Sequence, residues 1–105
     1  MVRPRIEFSK EELVDICRRH SIRRLSLFGS VLRDDFRPDS DVDMLVEFHP
    51  DVPIGFRIFR IEEDLSRLFE GRRVDIVDPK YLNRYLKDRI LHSARIEFDA
   101  DDAER

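Results

Sequence analysis

Cysteine, long apolar runs, excess basic charge and internal repetition are all scarce in this sequence, and each scarcity removes a class of protein. A single cysteine, Cys17, rules out an internal disulfide and fits a reducing compartment. No stretch approaches the roughly 18–20 consecutive apolar residues of a membrane span. The first ten residues, Met1 to Lys10, lack the apolar centre of a secretory signal. A cytoplasmic protein without a membrane anchor is therefore expected. The formal net charge of −3 argues against a protein that grips nucleic acid through its backbone phosphates. No repeat, low-complexity tract or linker breaks the 105 residues, so one domain over 1–105 is expected. Its last stretch, 99–105, is acidic and without a core pattern, which predicts a frayed tail. A domain this small has little room for both a reaction centre and a second substrate domain, which leaves room for a partner chain to hold the acceptor.

The apolar and charged fractions, 41% each, are those of a globular chain with a heavily charged surface. Ser9-Lys10-Glu11-Glu12 reads as a capping box opening a helix that runs to about His20, with Leu13, Ile16 and Cys17 on one face. Arg24 to Phe28 alternates as a strand does, and Gly29-Ser30 ends it. Val31 to Asp35 has room for a short helical turn, and Arg37-Pro38-Asp39-Ser40 is a turn by composition. Val42 to Phe48 is a second strand. After the prolines of His49 to Pro53, Ile54, Ile58, Ile61, Leu65 and Leu68 recur at helical spacing until Gly71. Arg73 to Val77 is a third strand. Asp78-Pro79 looks like the cap and first residue of a last helix, with Leu82, Tyr85, Leu86 and Ile90 on one face. Arg95 to Phe98 adds a possible fourth strand. This order predicts an α/β (α+β) domain: a small mixed sheet of three to four strands with helices mainly on one face.

Three stretches carry chemistry: Gly29-Ser30, then ten residues, then Asp41-Val42-Asp43, and later Asp75 within the third strand. Side chains at i and i+2 of an extended chain share a face, with Cα atoms roughly 6–7 Å apart. Asp41 and Asp43 therefore project together while Val42, Met44 and Val46 point the other way. Asp75 interrupts Val74 and Ile76 in the same sense. If the third strand pairs beside the second, three carboxylates converge, the oxygen donors that a pair of Mg²⁺ ions takes when phosphates complete the coordination. Gly29 permits a tight turn and close backbone approach, and Ser30 adds a hydroxyl beside exposed N–H groups, which suits a phosphate. Arg33, three residues on, could meet the same phosphates.

On these residues the chain resembles the polymerase-β-like nucleotidyltransferase superfamily. Within it, LFGSVLRDDFRPDSDVDMLVEF is similar to the minimal nucleotidyltransferase (MNT) family of bacteria and archaea. The resemblance runs from the first helix to the last and is most specific over the Gly-Ser to Asp-x-Asp core. It implies ATP or a related triphosphate as donor and two Mg²⁺ ions as cofactor. It implies Asp41 and Asp43 as ligands of both metals, and Asp75 as the third carboxylate, binding one metal and orienting or deprotonating the acceptor hydroxyl. It also implies a partner, since many members are antitoxins beside a HEPN-domain toxin, and some transfer AMP to a tyrosine of that toxin.

Other readings stand beside this one. The same scaffold could neutralise a partner by occlusion without catalysis, or could serve an enzyme that modifies a small molecule or an RNA end. Asp34, Asp35 and Asp39 read as loop solvation, and Cys17 as a small buried apolar residue. His20 and His92 fall near helix C-termini, where the helix dipole favours them, and His49 lies in a loop. None of the three has zinc-site spacing. The basic clusters Arg18-Arg19-His20 with Arg23-Arg24, and Arg72-Arg73, read as solvated helix ends and turns ahead of a phosphate patch. Phe56 and Phe59 fall off the apolar stripe of their helix. With Phe36 in a loop, they favour a surface for a partner or a second copy.

Overall fold

The computed structural model describes residues 6–34 and 36–103. Its first helix, α1 (Lys10–Arg19), begins where the Ser9 hydroxyl accepts a hydrogen bond from the Glu12 N–H at 3.2 Å, as the capping pattern predicts. Acidic Glu11 and Glu12 in its first turn and basic Arg18 and Arg19 in its last complement the helix dipole. Strand β1 (Ile22–Phe28) runs into a 3-10 turn over Gly29–Leu32, which starts two residues ahead of the Val31 expected for it. Asp35, assigned to that turn from sequence, lies outside the described residues. Strand β2 (Val42–Phe48) has the expected bounds.

The apolar stripe that starts at Ile54 becomes helix α2 (Arg57–Leu68), three residues late because Gly55 adopts a positive φ of 47° and breaks the first turn. The helix is stopped as expected: Gly71, at φ 84°, donates its N–H to the Ser66 carbonyl at 2.8 Å. Strand β3 (Val74–Val77) follows. The chain then departs from the sequence reading. Asp78 and Pro79 open only a 3-10 turn, Pro79–Tyr81, with the Asp78 carboxylate accepting from the Lys80 N–H. Helix α3 (Arg84–Ser93) starts later, capped by Asn83, whose side chain accepts from the Leu86 N–H at 2.9 Å. None of its residues is buried, so the shared face of Tyr85, Leu86 and Ile90 is not a core face. The tail is also more ordered than expected. Asp99 closes strand β4 (Arg95–Asp99), and Ala100–Ala103 forms a short helix, α4, leaving only 104 and 105 outside the description.

The strands form one mixed sheet in the order β3-β2-β1-β4, with β2 and β3 parallel and the other pairs antiparallel. Alternation divides it into two faces. Leu25, Leu27, Val42, Met44, Val46 and Val74 point to one face, where Leu13 and Cys17 of α1 and Ile61 and Leu65 of α2 complete the core. Each such Leu or Ile contributes about 1.5–3 kcal/mol by leaving water, and α1 and α2 pack on each other as well as on the sheet. Arg24, Ser26, Asp43, Leu45, Glu47 and Asp75 alternate onto the other face. The β3–β4 connection crosses two strands in the opposite direction to the β2–β3 connection, so the right-handed rule puts α3 opposite α2. Lys87 of α3 accordingly lines a recess with Glu47 and Phe48 at the far end of β2. The near end of that face is left to the acids.

Charge is absorbed locally. The register slips between Leu25–Phe98 and Ser26–Ile96, which makes Glu97 the extra residue of a bulge and turns it inward. Its carboxylate, only 4% exposed, is held by Lys10 and Arg95. Arg24 bridges Glu47 and Asp99, each at 3.3 Å. His20 is buried and places Nε2 2.7 Å from Asp64, which Arg19 also reaches at 3.3 Å. His20 is thus a tie between α1 and α2, more than the helix-end residue its position suggests. Cys17 is fully buried, and burial pushes its thiol up to about 12.

Candidate active site

The site follows from the pairing of the two parallel strands. Asp43 and Asp75 are direct partners, flanked by Val42–Val74 and Met44–Ile76. Side chains at matched positions of parallel strands leave the sheet on the same side, so the two carboxylates stand next to each other above the uncovered end of the sheet. Asp41, two residues before Asp43 and just ahead of β2, is exposed and close enough to act electrostatically on it. The condition set by the sequence, that the third strand lie beside the second, is met.

The glycine turn meets this group from the other flank. Phe28 pairs with Asp43, and Gly29 follows with φ at 77°. A Cβ on Gly29 would lie 2.6 Å from Asp43 Oδ2. Any other residue there is therefore strained by the backbone conformation, and its Cβ would have to displace the Asp43 carboxylate. Sequence reasoning assigned the glycine to a phosphate; in the folded chain it also seats the acid. Ser30 is the second residue of the 3-10 turn, and its carbonyl accepts from the Arg33 N–H at 2.9 Å, which fixes Arg33 at the end of the turn.

Electrostatics single out Asp43. Partial burial pushes its carboxyl above the usual range, and the charges of Asp75 and then Asp41 push it further, while Arg33 opposes them. This is the signature of like charges gathered together, with Arg33 offsetting them only in part. Among the described residues, no three acidic, histidine or cysteine side chains are drawn into a ready-made metal cage. The donor set nonetheless fits Mg²⁺: three carboxylates supply hard oxygens only, on an exposed sheet end that a phosphate-bearing ligand can reach.

Comparison with known proteins shows the family and the fold. Residues 10–97 match the family model described as a nucleotidyltransferase domain. The chain belongs to that family. Its relatives include protein adenylyltransferase MntA of Thermococcus cleftensis, 38% identical over 70% of this chain and 72% of that one. A Methanocaldococcus jannaschii protein provisionally named a protein adenylyltransferase is 33% identical over 81% of this chain and 89% of its own length. A solved structure provisionally described as a minimal nucleotidyltransferase is 36% identical, with a TM-score of 0.69 over 81% of this chain and 85% of that one. The antitoxin fold seen with a tri-AMPylated Shewanella oneidensis HEPN toxin is also shared, at 16% identity and a TM-score of 0.62, over 90% of this chain and 73% of that one.

This nucleotidyltransferase thus places Gly29, Arg33, Asp41 and Asp75 around Asp43, with Ser30 next to Gly29 in the turn. Two further features escaped that reading. Arg72, taken for a solvated turn residue, is spent on the loop before Asp41, where its guanidinium donates to the Arg37 and Ser40 carbonyls. Phe36, grouped with the surface aromatics, packs against the core edge beneath that guanidinium. By contrast, Phe56 and Phe59 are 89% and 65% exposed and stack on each other. No helix among the described residues is long and apolar enough to cross a membrane.

Proposed function

We propose that this nucleotidyltransferase moves AMP from ATP to a hydroxyl of a partner protein, in a Mg²⁺-dependent reaction at Asp41, Asp43 and Asp75. The observation that carries this reading is the register that sets Asp43 beside Asp75, with the Asp43 carboxylate seated over Gly29. Asp41 and Asp43 would hold two ions, and Asp75 would share one of them. Bound Mg²⁺ supplies charge neutralisation at the triphosphate and lowers the pKa of the attacking hydroxyl.

The remaining work falls to the chain itself. The backbone N–H groups of the Gly29–Leu32 turn and the Ser30 hydroxyl face the triphosphate, and Arg33 offsets its charge. Asp75, the more exposed of the paired acids, orients the acceptor and accepts its proton. The acceptor oxygen bonds to the α-phosphorus as the bond to pyrophosphate breaks in line. Relatives carrying the name protein adenylyltransferase support a protein acceptor and AMP as the group moved. By the same analogy the partner is a HEPN-domain toxin and the acceptor one of its tyrosines, with this chain as cytoplasmic antitoxin.

The test is to incubate the chain with Mg²⁺, ATP labelled at the α-phosphate and the product of the neighbouring gene, then weigh that product. Mass rising in steps of one AMP, with loss of transfer in Asp43→Asn, is the expected result. A tight complex with no mass change would replace catalysis by occlusion.

A further inference from the structure

Asp41 lies in no strand, yet the peptides on both of its sides are anchored. The Ser40 carbonyl accepts from Arg72 Nη1 at 3.2 Å, and the Val42 N–H donates to the Arg73 carbonyl at 2.9 Å. The same Nη1 donates to the Arg37 carbonyl at 2.8 Å, and the guanidinium lies over the Phe36 ring, 4.5 Å from its centre. The loop it grips is already tightened, because Arg37 and Ser40 bond to each other twice, backbone N–H to Ser40 Oγ at 2.9 Å and Ser40 N–H to the Arg37 carbonyl at 3.0 Å. Arg72 is itself fixed, since its carbonyl accepts from Ser66 Oγ at 2.6 Å. Two residues after Arg73 comes Asp75.

We propose that Arg72 is a positioning residue that sets Asp41 relative to Asp75 by clamping the 36–40 loop. One short segment, Arg72-Arg73, ties the loop carrying Asp41 to the strand carrying Asp75. Without it the two acids would hang on elements joined only through the strand ladder. A guanidinium suits the task because it offers forked donors and a flat face at once, and a lysine ammonium offers only the donors. The proposal rests on the reading of the acids as a cation site, and it adds no contact between Arg72 and the nucleotide.

Two readouts test it. Amide exchange of Ser40 and Val42 in Arg72→Ala reports the clamp, and Mn²⁺ binding in the presence of ATP, followed by electron paramagnetic resonance, reports the site. The expected result is faster exchange at those two amides, unchanged exchange at Leu25 and Val46, and Mn²⁺ affinity lower by about 10- to 100-fold, the usual cost of losing a residue that orients a metal ligand. Arg72→Lys should fall between, and it supplies the comparison should Arg72→Ala unfold. Wild-type exchange at Ser40 and Val42 in a folded variant would overturn the clamp. Faster exchange with undiminished Mn²⁺ affinity would overturn its coupling to the acids. A wild-type chain that binds no Mn²⁺ would instead defeat the cation-site reading, and the exchange data would still judge the clamp.

Discussion

Replacing Gly29 with alanine perturbs the site through one methyl group whose cost has two separable parts. At φ 77°, any side chain meets the left-handed penalty, of order 1–2 kcal/mol. The new Cβ would also lie 2.6 Å from Asp43 Oδ2, so the carboxylate must swing by several tenths of an ångström. Driving its side chain off a rotamer well costs about 0.5–1.5 kcal/mol more. Gly71 is a natural control, with φ at 84° and nothing within 4 Å of its would-be Cβ. Gly71→Ala should therefore lose about 1–2 kcal/mol and Gly29→Ala about 1.5–3.5 kcal/mol. At about 4–8 °C per kcal/mol for a domain of this size, thermal unfolding separates them by several degrees. Mn²⁺ binding should fall sharply in Gly29→Ala alone, because only there is a carboxylate displaced. Equal melting losses in the two variants, together with full Mn²⁺ affinity in Gly29→Ala, would refute the claim that this glycine seats Asp43.

Three further outcomes follow from the same structure. Asp43→Asn removes a carboxylate whose charge is opposed by burial and by Asp75 and Asp41, so it should raise the melting temperature slightly while abolishing cation binding; a lower melting temperature would contradict the repulsion. Asp64, held below the usual carboxylate range chiefly by its hydrogen bond to His20, contributes stability that is present above its unfolded value and lost as pH falls through the folded one. Asp64→Asn should accordingly cost about 1–2 kcal/mol near neutral pH, and urea titrations should show that deficit shrinking below about pH 4; a pH-independent deficit would count against a stabilising Asp64 carboxylate. Phe56→Ser with Phe59→Ser should leave stability within about 0.5 kcal/mol, since both rings are exposed. Sedimentation with the partner should show weaker association if this stacked pair is a contact surface, and unaltered association would remove it from that role.

What could be read from the residues follows from how local the signal is. The Ser9 cap, the α2 stripe, its Gly71 stop and the alternation of β2 depend on neighbours a few positions away, and these elements fall where expected apart from the three-residue delay at the start of α2. The Asp43–Asp75 pair was readable only conditionally, because strand adjacency is a long-range fact that alternation cannot supply. Helix α3 was misplaced because Asp78-Pro79 satisfies the chemistry of a cap, yet the chain makes one 3-10 turn there before Asn83 caps the true helix. Its apolar residues suggested a core face, but the core is already filled by α1 and α2 on the opposite side of the sheet. The same limit hid Arg72 and His20, whose partners Ser40 and Asp64 lie 32 and 44 positions away. The glycine at 29 was recognised for the right backbone reason, but its second constraint comes from a residue on another strand.

The central claim is that Asp41, Asp43 and Asp75 act as one divalent-cation site for a nucleotide. Titrating Mn²⁺ into the wild-type chain and into Asp41→Asn, Asp43→Asn and Asp75→Asn, each with ATP present, tests it most directly. The account predicts saturable binding in the wild type that weakens by at least about tenfold in every variant while the fold is kept. Binding that survives all three substitutions at wild-type strength would contradict it.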